Sequence, residues 1–305
     1  MSKLPTQSPL KSSELKALSV RSDTQGLMHL LGHLGALSLT GALVLSARGT
    51  GWIVPAAFLH GYVLIFLFCA LHETAHYTPF RTRAFSWALG NFAGFLLLLP
   101  FEYFRLFHWD HHRFTQDPAR DPELGQPKPA TPWAYLLHIS GLPNWKTRIA
   151  TVGRHALSGR VTQPWIPEAK KPFVVREARV YAAGYASVIL LSAYLHTAVL
   201  LWLWILPTLA GQVFLRNYLL AEHTGCDFSA DPMANTRTTY TNAWVRFFAW
   251  NMPYHVEHHA YPSIPFYALP QANTHLRSQI KVGDPGYVAA LRSILRYLFR
   301  SPARP

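Results

Sequence analysis

Residues 51–76 read GWIVPAAFLHGYVLIFLFCALHETAH. The apolar part, 51–71, has the length of about 20 residues that a helix needs to span a bilayer. It ends on His72-Glu73-Thr74-Ala75-His76. Positions i and i+4 of a helix share one face, so a helix here delivers two imidazoles side by side at the end of a span. Neutral imidazole is a good ligand for iron, copper or zinc. The stretch therefore predicts an all-α membrane protein that carries metal ligands at the mouth of its spans.

Upstream, 27–47 is a second apolar run, LMHLLGHLGALSLTGALVLSA, separated from 51–71 only by Arg48, Gly49 and Thr50. The two read as a hairpin of spans. Downstream, 85–101 (FSWALGNFAGFLLLLPF) is shorter, holds Gly90 and Gly94, and ends near Pro100. Residues 180–221 are apolar for long enough to give two spans, 180–198 and 200–221, with a tight turn near His196 and Thr197. The intervening segments, 102–178 and 222–305, are rich in Pro, Trp and Arg, and no internal repeat is present.

Composition agrees with a membrane chain. Of 305 residues, 50% are hydrophobic and 14% charged, against about 25% charged in a soluble domain. The net charge is +13. Its Lys and Arg lie between and after the apolar runs, as expected of cytoplasmic loops, so nucleic acid is not the expected partner. Cys69 and Cys226 have no Cys-x-x-Cys partner, which excludes a zinc ribbon. Residues 1–26 are polar and basic, with no apolar core placed like that of a signal peptide, and are expected to be a disordered or surface-lying cytoplasmic tail. Residues 27–277 then form one membrane catalytic domain, and 278–305 a basic C-terminal tail.

Two further boxes follow apolar segments: His108-Trp109-Asp110-His111-His112 and His255-Val256-Glu257-His258-His259. Each has the H-x-x-H-H spacing that turns imidazoles to one side of a helix. Eight box histidines exceed what one metal uses, so two metals are implied. His29 and His33 share the i, i+4 spacing but lie inside a span, where packing or interhelical hydrogen bonding explains them. His72-Glu73-x-x-His76 also matches the zinc-protease signature, a reading that leaves the other two boxes unexplained. Glu73, Asp110, Glu222 and Glu257 are expected nearby as acceptors for the outer N–H groups of the ligands.

The boxes form one site only if they meet on one side of the membrane. With residues 1–26 cytoplasmic, the first hairpin returns the chain to the cytoplasm at His72. A full crossing by 85–101 would put His108 on the far side. The expectation is that 85–101 is re-entrant or interfacial, which its length and glycines permit. Four spans follow, with both termini, the active site and the basic loops cytoplasmic. The expected location is a bacterial inner membrane.

At this point the pattern H72-x3-H76, H108-x2-H111-H112, H255-x2-H258-H259 resembles the membrane fatty acid desaturase superfamily, which includes acyl desaturases, lipid hydroxylases and carotenoid ketolases. The matching stretches are LHETAHYTPFRTR, FHWDHHRFTQDPARDPE and NMPYHVEHHAYPSIPFYALP, within about residues 50–277. The resemblance implies four spans under a cytoplasmic helical cap that holds two iron ions on nine histidines. Eight are the box residues. His223, in AEHTGCD, holds the place of the ninth. In the acyl-CoA branch an asparagine four residues earlier contacts one iron through water; here that position is Leu219, and Asn217 is out of register.

The resemblance also implies O2 as co-substrate and hydrogen abstraction from an unactivated C–H bond. The expected function is insertion of a double bond into an acyl chain of a lipid or a fatty acyl thioester. Alternatives of the same fold are a hydroxylase or ketolase on a lipid, carotenoid or other apolar molecule, and a tailoring enzyme on a smaller or more polar substrate. A non-catalytic metal binder or heme subunit suits the boxes less, since heme needs few axial histidines. With no His-Pro-Gly-Gly motif in the chain, electrons are expected from a separate ferredoxin or cytochrome, steered by Arg105, Arg113, Lys170 and Lys171. Gly90, Gly94, Trp87, Phe92, Tyr185, Trp202 and Trp204 are candidate substrate-tunnel residues.

Overall fold

The computed structural model describes residues 10–300. Its helices are α1 (Ser12–Leu18), α2 (Asp23–Ser46), α3 (Ile53–Ile65), α4 (Leu67–Ala75), α5 (Arg83–Leu96), α6 (Phe101–Phe114), α7 (Pro132–Ile139), α8 (Leu142–Ser158), α9 (Lys171–Tyr194), α10 (Leu206–His223), α11 (Pro232–Asn235), α12 (Ala243–Phe248), α13 (His255–Ala260), α14 (Leu269–Leu276) and α15 (Tyr287–Arg300). Among the described residues the strands are β1 (Thr238–Thr239) and β2 (Gly283–Asp284), a short parallel pair.

Among the described residues two stretches are long and apolar enough to cross a membrane alone: α2, and Ile53–Ala75, which α3 and α4 form together through a break at Phe66. The exposed side chains Met28, Leu31 and Leu39 on α2, Val54 and Phe58 on α3, and Ile189, Leu190 and Leu191 on α9 form an apolar surface too large for a water-facing protein. This is a mostly helical membrane protein.

The run 85–101 is not one rod. α5 and α6 meet at 100°. The turn is closed by Leu99 N donating to Gly94 O at 2.8 Å, and Leu98 takes a left-handed φ of 52°. Pro100 then opens α6, whose free N-terminal amides of Glu102 and Tyr103 donate to Glu177 of α9 at 2.7 and 3.2 Å. A carboxylate at a helix N-terminus satisfies orphan donors and opposes the positive end of the dipole. Glu177 thus anchors the helix that bears the second box.

The chain turns at His196, which takes a left-handed φ of 47°. The helix before it, however, starts at Lys171, nine residues upstream of the apolar edge at 180. Lys171, Arg176, Glu177 and Arg179 are helical without being apolar, so the hydropathy edge is not the helix edge. After the turn, one π-helical turn, Leu201–Ile205, leads into α10. α10 lies hard against α3 because Gly61 and Gly211 face each other. A Cβ on Gly61 would come within 2.2 Å of Pro207 O, and one on Gly211 within 2.3 Å of Gly61 O. Such small-residue contacts bring membrane helix backbones together.

Both expected tails are packed where described. Leu10 and Leu18 are buried, Ser22 N donates to Tyr267 Oη at 2.7 Å, and Asp23 accepts from Thr82 N and Oγ1 at 2.8 Å. At the other end, Ala290, Ile294 and Leu298 of α15 are buried against Leu220 and Ala221 of α10. The rest of the two tails, 1–9 and 301–305, lies outside the described residues.

Candidate metal centre

Four elements bring the nine histidines together. α4 carries His72 and is capped by His76, α6 carries His108, His111 and His112, α10 ends on His223, and α13 carries His255, His258 and His259. Helical rotation divides eight of them into two sets. One ring nitrogen from each of His72, His76, His108, His112 and His258 falls within 4.8 Å of the others, and likewise for His111, His223 and His259. On α6 the i, i+4 pair His108 and His112 faces the first set, and His111 turns to the second. On α13 the neighbours His258 and His259 point to different sets. The sets adjoin where the His112 and His259 rings stack at 4.1 Å.

The spacing of the nitrogens shows what the sets are built for. His108 Nε2 lies 2.8 Å from His76 Nε2 and 3.0 Å from His112 Nε2, and His112 Nε2 lies 3.1 Å from His258 Nε2. In the second set His223 Nε2 lies 3.2 Å from His111 Nε2, and the ninth histidine, His255, brings its Nε2 to 3.2 Å from His223 Nε2. Nitrogens at adjacent corners around a metal with bonds of about 2.1 Å stand about 3 Å apart. The outer nitrogens sharpen the point. His111 Nδ1 donates to Asp121 Oδ1 at 2.9 Å, and His223 Nδ1 to Asn235 O at 3.1 Å. Both partners are acceptors, so both Nδ1 carry a proton, and each ring when neutral aims its Nε2 lone pair inward as a metal ligand must. The donor set fits two metal ions.

The electrostatics agree. Burial alone would depress His111, but Glu123 and Asp121 outweigh it and its pKa is raised. Glu123 Oε2 lies 3.4 Å from His111 Nε2. Burial pushes the Glu123 carboxyl up, yet His111 and Lys128 bring it down to about 2. By contrast His108, His112 and His258 are held well below the usual imidazole range by burial and by one another.

The four carboxylates expected behind the ligands are not equivalent. Glu222 Oε1 stands 3.6 Å from His255 Nδ1, and Glu73 Oε1 4.0 Å from His258 Nδ1. Glu257 instead accepts from Thr238 at 2.6 Å and from Asn273, tying α13 to β1 and α14. Asp110 makes no hydrogen bond to a histidine among the described residues; its neighbours are Arg113 and Arg120. The groups that do hold outer nitrogens are Asp121, Asn235 O and, at 3.2 Å from His259 Nδ1, Thr115 Oγ1. Gln116, left-handed at φ 61°, donates from its side chain to His223 O at 2.7 Å and from its backbone to Asp121 at 2.8 Å. Asp121 and Glu123 lie in the QDPARDPE stretch after the second box, where two Asp-Pro steps signal a turn that folds back.

His29 and His33 stay out of both sets. His29 Nε2 meets Phe247 O at 2.8 Å, and His33 Nε2 meets Val63 O at 2.9 Å while its Nδ1 accepts from Trp250. None of the seven expected tunnel residues lines the cavity that reaches the histidines. Tyr185 and Trp204 instead bond to Phe95 O and Leu96 O, while Leu98, Leu99 and Pro100 at the α5–α6 bend line it.

Comparison with known proteins agrees with this geometry. The chain is 28% identical over 269 residues to a dihydrorhizobitoxine desaturase of Bradyrhizobium elkanii, covering 79% of this chain and 71% of that one. It is 25% identical over 240 residues to an sn-1 oleoyl-lipid 12-desaturase of Picosynechococcus, covering 72% and 67%. It is 27% identical over 234 residues to a sphingolipid delta(4)-desaturase DES1-like protein of Arabidopsis thaliana, covering 75% and 65%. The family model "Fatty acid desaturase" matches residues 50–290. With the match spanning most of the chain and every box histidine inside it, the protein belongs to the fatty acid desaturase family and is an oxidoreductase of the desaturase type.

Proposed function

We propose that this protein is an O2-dependent di-iron enzyme that inserts a double bond into an acyl chain. The observation that carries the reading is a cavity of about 530 Å3, apolar along Phe68, Leu99, Phe104, Phe107 and Leu219, that ends on His72, His108, His111 and His255. An apolar chain laid there excludes water and presents a C–H bond to the histidine sets. One iron would sit on His72, His76, His108, His112 and His258, the other on His111, His223, His255 and His259. Bound there, the pair supplies an O2-activating centre able to abstract hydrogen from an unactivated C–H bond. Asp121 and Asn235 keep His111 and His223 in the tautomer that offers Nε2 inward. Glu123, beside His111 Nε2, faces the second set, which has one imidazole fewer; Leu219 there replaces the water-binding asparagine of the acyl-CoA branch.

Four spans with both termini and the histidines cytoplasmic remain the proposed topology. The 100° bend between α5 and α6 supports it, since a segment that turns back lets His108 emerge on the side of His72. Electrons would enter from a ferredoxin or cytochrome at an open depression of about 430 Å3 lined by His112, His259, Arg113 and Arg120. Of the other cations expected to steer the donor, Arg105 and Lys170 pair with Glu102, and Lys171 with Glu168. The three relatives described above are all named as desaturases, which favours an alkene over an alcohol. The test is product analysis of lipid extracts from cells with and without the gene. A new double bond is the expected result. An added oxygen would make the enzyme a hydroxylase, and unchanged extracts with iron near zero per chain would overturn the reading.

A further inference from the structure

The cavity that reaches the histidines is also lined by arginines, among them Arg216 and Arg148. Arg216 lies seven residues before His223 on α10, two turns back along the same face and about 10 Å along the axis. It is 5% exposed, its Nε donates to Gln212 Oε1 at 3.0 Å, and its Nη2 has no partner. Gln212 is fixed in turn: it is fully buried, and Gly141, at φ 69°, presses so close that a Cβ there would come within 2.3 Å of it. Arg148 of α8 lines the same cavity and spends one nitrogen on Leu97 O at 2.7 Å. Burial brings its pKa down to about 10.

Neither guanidinium has an acid partner among the described residues. Glu102 is taken by Arg105 and Lys170, Glu177 by the amides that open α6, and Glu123 and Glu222 stand at the histidine end. A buried charge without a counter-ion is costly. A guanidinium held in one orientation beside a cavity, with N–H groups still unspent, matches a carboxylate or phosphate.

We propose that Arg216 and Arg148 form an anion subsite, so that the substrate is an amphiphile whose carboxylate or phosphate head sits on them while its apolar chain runs past Leu219 to the histidines. This rests on the cavity being the substrate site, as proposed above, and it narrows the substrate from any acyl chain to one with a charged head within reach of the metals.

The experiment titrates full-length, iron-loaded protein in detergent with decanoate, decyl phosphate, methyl decanoate and decanol. Binding is read from Trp fluorescence, since Trp165 lines the cavity. Decanoate or decyl phosphate should bind at least about tenfold more tightly than the two neutral ligands, and whichever anion leads identifies the head group. Arg216→Met and Arg148→Met should each remove that preference and leave neutral-ligand binding in place. Equal binding of all four ligands to the unaltered protein overturns the subsite, a result that needs no variant to fold. Undiminished anion preference in a folded Arg216→Met protein overturns it too. Because binding is read without turnover, a selective chain whose extracts gain no double bond refutes the desaturase reading alone. One that makes the alkene yet binds all four alike refutes only the subsite.

Discussion

The histidine set around His108 and the set around His223 offer the same ligand atom in different settings. In the second set the outer nitrogens of His111, His223 and His259 are held by Asp121, Asn235 O and Thr115. In the first, Nδ1 of His72, His76, His112 and His258 are buried without a hydrogen-bond partner, whereas in the second only that of His255 is left so among the described residues. Three of the four rings of the second set are therefore oriented by the protein before any metal arrives. The first relies on close ring packing and on the ion itself. Metal-site preorganisation is local, and two sets that share helices α6 and α13 need not share it.

The largest expected effect comes from striking the centre of the first set. His108→Ala removes the nitrogen that stands within 3.0 Å of two others. It should drop iron to one per chain or less and abolish product; two irons retained would break the division into sets. Asp121→Ala tests the second set. Losing the partner that orients a ligand costs about 10–100-fold in metal affinity, and chelator competition should show only one of the two irons weakened. Gly211→Ala moves α10, which carries His223, away from α3. Overpacking of this kind costs about 1–3 kcal/mol, to be read as a lower unfolding temperature together with selective loss of the second iron.

Acidification sharpens the same comparison. Metal binds the unprotonated imidazole. His111 has a raised pKa and His108, His112 and His258 lowered ones, so as pH falls the proton reaches His111 first. Iron per chain, measured after dialysis at decreasing pH, should fall through a plateau near one, with the second set emptied at the higher pH. A single step to zero would count against it. The smallest effect is expected from Asp110→Ala, whose side chain holds no histidine: stability within about 0.5 kcal/mol and unchanged iron content.

What could be foreseen from sequence followed the physics of each signal. The box histidines repeat at helical spacing beside apolar runs, and the structure gathers all eight. His223 has no such spacing and came only through the resemblance. Asp121, Asn235 and Thr115 were invisible because their roles depend on a loop folding back, which leaves no periodicity. Asp110 and Glu257 lie inside boxes, yet nearness in sequence does not aim a side chain. Requiring one site on one side keeps 85–101 from crossing, but it says nothing of the residues at the α5–α6 bend that border the cavity. The start of α9 was hidden because its charged first turns are helical without being apolar. The inner face of α15 was open to reading: Ala290, Ile294 and Leu298 recur every fourth residue, as an amphipathic helix requires.

The contact between Ser22 and Tyr267 joins residues 245 positions apart in sequence. During synthesis the chain grows at about 5–20 residues per second, so its N-terminal segment waits roughly ten to fifty seconds for the surface on which it docks. The third histidine box emerges in the same late interval. Until then the chain carries the first two boxes without the third, so the two histidine sets close only late in its synthesis.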